Sequence, residues 1–389
     1  MPPLAIHCGR ALTPQEEISD AAMVIEDGRI RAVGPRSALR IPSGAREFDA
    51  RKFIAVPGFV DVHIHGAGGH DVMEGSLEAL VAVAATVART GTTCLVATTV
   101  TAGMDATCRS VEAMARFIRA QAAPSRGPAA EYLGIHFEGP FLSRVRCGAQ
   151  PPEWIIPPSA ALVRQLVQAA GGCARILTLA PEVPGALEAV DEARQAGLVV
   201  GMGHTDATYT QAQGAMEHGA SHGIHVFNAM RPFSHRETGV IGAILTDARV
   251  TAELIADGVH VDAAAMRLLL AAKGVAGVIL VSDATSATGM PDGKFQLGPI
   301  EVTVTGGVCR TAQGNLAGST LTLDRALRNI VALGVPLQDA VRMLTTNPAR
   351  LLGMEKKKGV LAPGADADVV LLDSNLNVAG VLTRGVGLG

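Results

Sequence analysis

Aromatic side chains are scarce in this sequence: they make up 3% of 389 residues, with one Trp and two Tyr. Ala, Val, Leu and Ile must therefore fill the core, as suits closely layered strands and helices. No basic block stands out, and basic and aromatic residues do not interleave. With 33 basic against 36 acidic residues the net charge is −3, which argues against a nucleic-acid surface. No apolar run reaches the length of a membrane span, about 18 residues. The nearest, 268–281, is broken by Lys273. Residues 1–10 carry no charged region followed by an apolar one, so no secretion signal is expected. The six Cys form no CxxC pair. Reduced thiols in a cytoplasmic protein are the expectation.

What is present is length, glycine and alternation. Apolar residues make up 48% and charged residues 18%, which excludes a disordered chain. At this size roughly three quarters of the extended chain's surface can be buried. The 44 glycines imply many tight turns and close backbone approaches. Near the N-terminus, two β-rich runs flank Asp27-Gly28, a strong hairpin signal. Residues 364–373 repeat the flavour, a turn followed by a buried strand. Residues 1–56 and 359–389 are thus expected to form one small β-sandwich domain from both termini. It would enclose a larger domain at 57–358.

That middle segment alternates. Strand-like runs occur at 59–65, 92–100, 132–138, 175–181, 198–204, 223–229, 250–256 and 277–283. Segments of helical period lie between most of them, such as 77–89, 106–120, 186–195 and 263–273. Eight strands alternating with helices predict an α/β fold of the (β/α)8 TIM-barrel type. A doubly wound open sheet is the rival, but Gly66-Ala-Gly-Gly69 does not match the GxGxxG turn that such a sheet would use. Residues 291–310 read as an inserted hairpin.

The first barrel strand runs Phe59-Val-Asp-Val-His63-Ile-His65. With period two, Val60, Val62 and Ile64 face the helices, while Asp61, His63 and His65 face the barrel interior. One HxH is a weak signal, but the pattern recurs. His136 and Glu138 end the third strand, His204 the fifth, and Asp283 the eighth; His225 and Asn228 lie on the sixth. Core histidines would not repeatedly choose the C-terminal rim, where barrel active sites sit. Imidazole plus carboxylate without thiolate suits Zn2+, with Fe2+ or another divalent ion as alternatives. Such an ion lowers the pKa of water bound to it from 15.7 to roughly 7. Asp283 is then placed to move a proton. These are the parts of a hydrolase.

These residues resemble the amidohydrolase superfamily. More narrowly, His136-Phe-Glu138-Gly-Pro-Phe141, Gly203-His204-Thr205-Asp206-Ala207, His225-Val-Phe-Asn228-Ala-Met230 and Asp257-Gly-Val-His260 resemble the N-acetylglucosamine-6-phosphate deacetylases. The resemblance covers nearly the whole chain. It implies hydrolysis of the acetamide of N-acetylglucosamine 6-phosphate, a small phosphorylated amino sugar, by a homodimer. Glu138, His204 and His225 match the main metal ligands, and His63 and His65 an HxH that permits a second metal. Asp283 matches the acid/base. Asn228 and Ala229 match substrate contacts, as do Leu316, Ala317 and Gly318. Arg236 and His260 match the positions that hold the phosphate, often across a dimer interface. One departure stands out: at Cys147-Gly-Ala149-Gln150 the family has Gly-Ala-His. Gln150 can donate a hydrogen bond but cannot carry a proton.

Alternatives remain open within the sequence: a deacetylase for another N-acetylated sugar such as N-acetylgalactosamine 6-phosphate, or a non-catalytic scaffold. His136 reads equally as ligand or supporting residue. His218 and His222 read as structural or solvated, and Trp154 as packed beneath the 147–150 loop.

Overall fold

A computed structural model describes residues 2–122 and 127–388. Eight parallel strands form the barrel, in sequential order: Phe59–Ile64, Thr92–Thr98, Glu131–Glu138, Ala174–Leu179, Val199–Met202, His222–Gly223, Thr251–Ile255 and Val278–Val281. The first and eighth strands meet beyond their regular ends. Asp283 N–H donates to the His63 carbonyl at 2.9 Å, and His65 N–H to that of Ala284 at 2.8 Å. Period two holds along the first strand: Val60, Val62 and Ile64 join the main apolar core outside the barrel.

The strands expected at 198–204 and 223–229 are shorter than their apolar runs. The fifth ends at Met202 and the sixth spans only His222–Gly223. The cause is backbone conformation. His204, His225, Phe227 and Ala229 all have positive φ, which regular strands exclude. His204 and His225 therefore sit on turns just past the strand ends.

The outer helices follow their periodic stretches. Those at Ala186–Gln195 and Ala263–Lys273 match the expected segments, and Leu77–Ala88 and Met104–Ala120 differ by one or two residues. Short polar side chains start two of them, Leu77–Ala88 and Ala263–Lys273. Ser76 accepts from Ala79 N–H, and Asp262 from Ala264 N–H, satisfying donors that a first turn leaves unpaired.

The sandwich expected from both termini is built from one continuous six-stranded sheet. Its order is Val378–Leu382, Val369–Leu372, Arg46–Pro57, Leu4–Leu12, Glu17–Glu26 and Arg29–Pro35. Asp27-Gly28 makes the two-residue turn between the last two, both residues with positive φ. Strand Arg46–Pro57 leads directly into the first barrel strand. The segment 291–310 forms three strands rather than a hairpin, Gly293–Leu297, Ile300–Thr305 and Val308–Thr311. Trp154 is 46% exposed, with its ring against Gly103 rather than beneath the loop.

Lys358 ties barrel to sheet. Its ammonium lies 2.6 Å from Glu131, 2.8 Å from Asp368 and 2.9 Å from Asp366. Removing one buried partner leaves the others uncompensated. Lys358→Met should cost about 3–5 kcal/mol in urea unfolding; a loss below about 1 kcal/mol would show that the cluster does not stabilise the folded chain.

Candidate active site

The C-terminal mouth of the barrel opens into a cavity of about 330 Å³. Its floor holds His65, Glu138, His204, His225 and Asp283, with His63 just beneath. Asn228, Ala229, His260, Leu316, Gly318, Ala149 and Gln150 form its walls.

Glu138 is the centre. Its Oε1 lies 3.0 Å from Nε2 of both His204 and His225, and 3.5 Å from Nε2 of His63. Its Oε2 lies 3.3 Å from His65 Nε2. Asp283 Oδ1 is 3.1 Å from His65 Nε2 and 3.7 Å from His63 Nε2. Two ligand groups, His63–His65–Glu138 and Glu138–His204–His225, thus share one carboxylate.

The opposite ring nitrogens settle the tautomers. His65 Nδ1 lies 3.0 Å from the Thr98 carbonyl, and His204 Nδ1 lies 3.1 Å from that of Arg146. A carbonyl only accepts, so each Nδ1 carries the hydrogen. In a neutral imidazole Nε2 is then a bare lone pair. Such lone pairs face carboxylate oxygens at 3.0–3.3 Å and, at His204, the Nε2 of His225 at 3.2 Å. Acceptor facing acceptor at that distance requires a proton or a cation between them. The buried His63 Nε2 likewise has no hydrogen-bond partner. Nitrogen and oxygen donors converging from supported imidazoles fit a divalent metal.

Burial works against charge on His63 and His65, but Glu253, Glu138 and Asp283 outweigh it and hold His63 well above its ordinary pKa and His65 up at about 10, so protons occupy these nitrogens until a metal displaces them. Burial pushes the Glu138 carboxyl up, but the surrounding imidazoles outweigh it and hold it well below its ordinary value. Asp283 is lowered in the same way, burial being overcome by the His65 hydrogen bond and the charge of His63. Both are ionised at neutral pH. His136 behaves oppositely: burial drives it down to about 3. It contacts the Thr178 hydroxyl at 2.8 Å and supports the barrel as a neutral ring.

Of the residues matched to site roles in the sequence, His63, Arg236 and Ala317 do not line this cavity. Arg236 is exposed on the 231–237 loop. Ala317 is buried in a small core under the three-stranded sheet, and its N–H is donated to the Cys309 carbonyl. Gln150 is already engaged, accepting from Thr101 N–H and donating to Glu138 Oε2, both at 2.8 Å. Gly318 lies so close to Asp283 that a Cβ would fall 2.8 Å from the Asp283 carbonyl oxygen. Glu253 was not singled out in the sequence. It is fully buried and lies 2.8 Å from both His63 Nδ1 and His222 Nε2. Its signal was a lone carboxylate inside the apolar run 250–256.

The model of the amidohydrolase family matches residues 54–387. The chain belongs to the amidohydrolase family, and is a metal-dependent hydrolase of C–N bonds. Within that class it is 40% identical over 381 residues to the N-acetylgalactosamine-6-phosphate deacetylase of Escherichia coli O157:H7, covering 98% of each chain. It is 36% identical over 375 residues to the N-acetylglucosamine-6-phosphate deacetylase of Bacillus subtilis (strain 168), covering 96% of this chain and 94% of the relative. A solved N-acetyl-D-glucosamine-6-phosphate deacetylase variant from Mycobacterium smegmatis, in complex with N-acetyl-D-glucosamine-6-phosphate, superposes with a TM-score of 0.92 at 38% identity over 99% of each chain.

His260 offers a pH test. Its Nδ1 lies 2.7 Å from Asp257. Burial works against its charge, but the Asp257 hydrogen bond raises its pKa above the ordinary value. Stability from such a group is fully present below the ordinary imidazole pKa and is lost as pH climbs through the raised one. The Tm deficit of His260→Gln should therefore be wider at pH 6 than at pH 9; equal deficits would show that the pair is not charged.

Proposed function

We propose that the chain removes the acetyl group of N-acetylglucosamine 6-phosphate, giving glucosamine 6-phosphate and acetate. The observation that carries this reading is the convergence of imidazole nitrogens on Glu138 beside an ionised Asp283, at the mouth of a sugar-sized cavity. Glu138, His204 and His225 would hold the divalent metal, with His63 and His65 able to hold a second. Zn2+ is the first choice for this nitrogen and oxygen set, and Fe2+ the second. When bound, the metal acts as a Lewis acid and lets water attack at neutral pH.

The chain's own residues do the rest. Asp283, held ionised in the folded chain, accepts the proton of the attacking water at Oδ1. It returns that proton to the departing amine as the C–N bond breaks. Asn228, Ala229, Leu316 and Gly318 line the space for the sugar. Gln150 holds Glu138 rather than carrying a proton. His260, whose protonated form Asp257 favours, would provide one charge for the phosphate. Arg236 would provide another from the partner copy of a homodimer, since in its own subunit it lies outside the cavity lining. All six cysteines are free, which supports the cytoplasmic reading.

The galacto epimer is the second reading, favoured by the 40% identical relative that acts on it. Acetate release from gluco and galacto substrates, each with and without the 6-phosphate, tests both. Release from N-acetylglucosamine 6-phosphate is expected; release from the galacto epimer alone would replace the gluco reading, and none from any substrate would end both. Asp283→Asn should lower kcat by about 10²–10⁴-fold while metal content by elemental analysis stays at the wild-type level. Full turnover in that variant would remove Asp283 from the mechanism.

A further inference from the structure

We propose that Glu253 is a positioning residue whose single carboxylate holds both halves of the metal site in register; this rests on the metal-dependent deacetylase reading above. Glu253 sits on the seventh barrel strand, below the ligands and out of reach of substrate. Its Oε2 accepts from His63 Nδ1 at 2.8 Å and from the backbone N–H of His225 at 3.0 Å. Its Oε1 faces His222 Nε2 at 2.8 Å, and His222 Nδ1 in turn contacts the Thr251 hydroxyl at 2.7 Å.

Each contact has a consequence for the site. A carboxylate accepts and does not donate, so His63 carries a hydrogen on Nδ1 and Nε2, facing Glu138, is the nitrogen left for a metal. A ligating His whose other nitrogen donates to a carboxylate is also the more basic ligand. The second contact acts on backbone. His225 has a φ of +28°, a conformation that needs support, and Oε2 holds its N–H. One oxygen therefore fixes a ring in the His63–His65 half and a strained turn in the Glu138–His204–His225 half. His63, His136 and Glu253 also lie close enough to suggest a separate metal group. The atoms of this group are already engaged, His136 with the Thr178 hydroxyl and the Val62 carbonyl, and Glu253 with His222 and the His225 N–H, so it serves as a hydrogen-bonded support.

Glu253→Gln keeps the shape but removes the charge and one of the acceptor oxygens. Zinc retained at buffered free concentrations, measured by elemental analysis, is the readout, and it needs no substrate. The variant should release zinc at a free concentration about 10–100-fold higher than the wild type does, while its circular dichroism spectrum is unchanged. Equal retention in both proteins would overturn the Glu253 assignment and leave the deacetylase reading intact. A wild type that takes up no zinc or iron would overturn both. Should Glu253→Gln not be recovered folded, the histidine 15N spectrum of zinc-loaded wild type decides, with the His63 signal assigned by its loss in His63→Asn. A hydrogen on Nδ1 supports the assignment, and one on Nε2 overturns it.

Discussion

Burying a carboxylate is expensive unless something compensates its charge. This barrel buries four at its heart: Asp61, Glu138, Glu253 and Asp283. Their neighbours are imidazoles, hydroxyls and backbone N–H groups. Ser282 donates to Asp61, His222 and His63 approach Glu253, and four imidazoles surround Glu138 and Asp283. Near the strand ends the supply of hydrogens runs out, because carbonyls have already claimed the Nδ1 hydrogens of His65 and His204. The remaining negative charge is what a divalent ion would neutralise. The arrangement of side chains in the barrel interior follows from that requirement.

Position matters as much as charge. Among the described residues, nine non-glycine residues have positive φ, and His204, His225, Phe227, Ala229 and Asp283 are five of them. Such backbone costs free energy and persists where surrounding structure enforces it. Here it is enforced by bonds between neighbouring strand ends. Asp283 N–H binds the His63 carbonyl and Ser319 N–H binds that of Asp283; Thr205 N–H binds that of Ala229. The turns aim each side chain inward where a continuing strand would have carried it past the mouth.

Much of this was legible in the sequence because period-two alternation leaves a clear trace. The alternation of Val60, Val62 and Ile64 with His63 and His65 marks the two faces of the first strand. Asp27-Gly28 gave the hairpin, and 186–195 and 263–273 gave helices that the structure reproduces. The fifth and sixth strands were read too long, since hydropathy does not report φ. The three-stranded sheet at 293–311 was read as a hairpin because short strands separated by Gly-rich turns resemble one long pair. Glu253 went unnoticed for a different reason: in the sequence it is a single acid among apolar neighbours. Its meaning comes from His63, which approaches only when the barrel closes. Arg236 matched a phosphate-binding position by its neighbours in sequence, yet one subunit alone does not bring it to the cavity.

The sheet shared by both ends has a consequence for how the molecule is made. Strand Arg46–Pro57 needs Leu4–Leu12 on one side and Val369–Leu372 on the other. The first partner precedes it in the chain, and the second follows about 310 residues later. Until then one edge, at Ile54–Pro57, stays unpaired on the nascent chain, open to wrong pairing with other strands. Such long-range closure is slow, so this edge is paired only after the whole barrel between the two strands has been made.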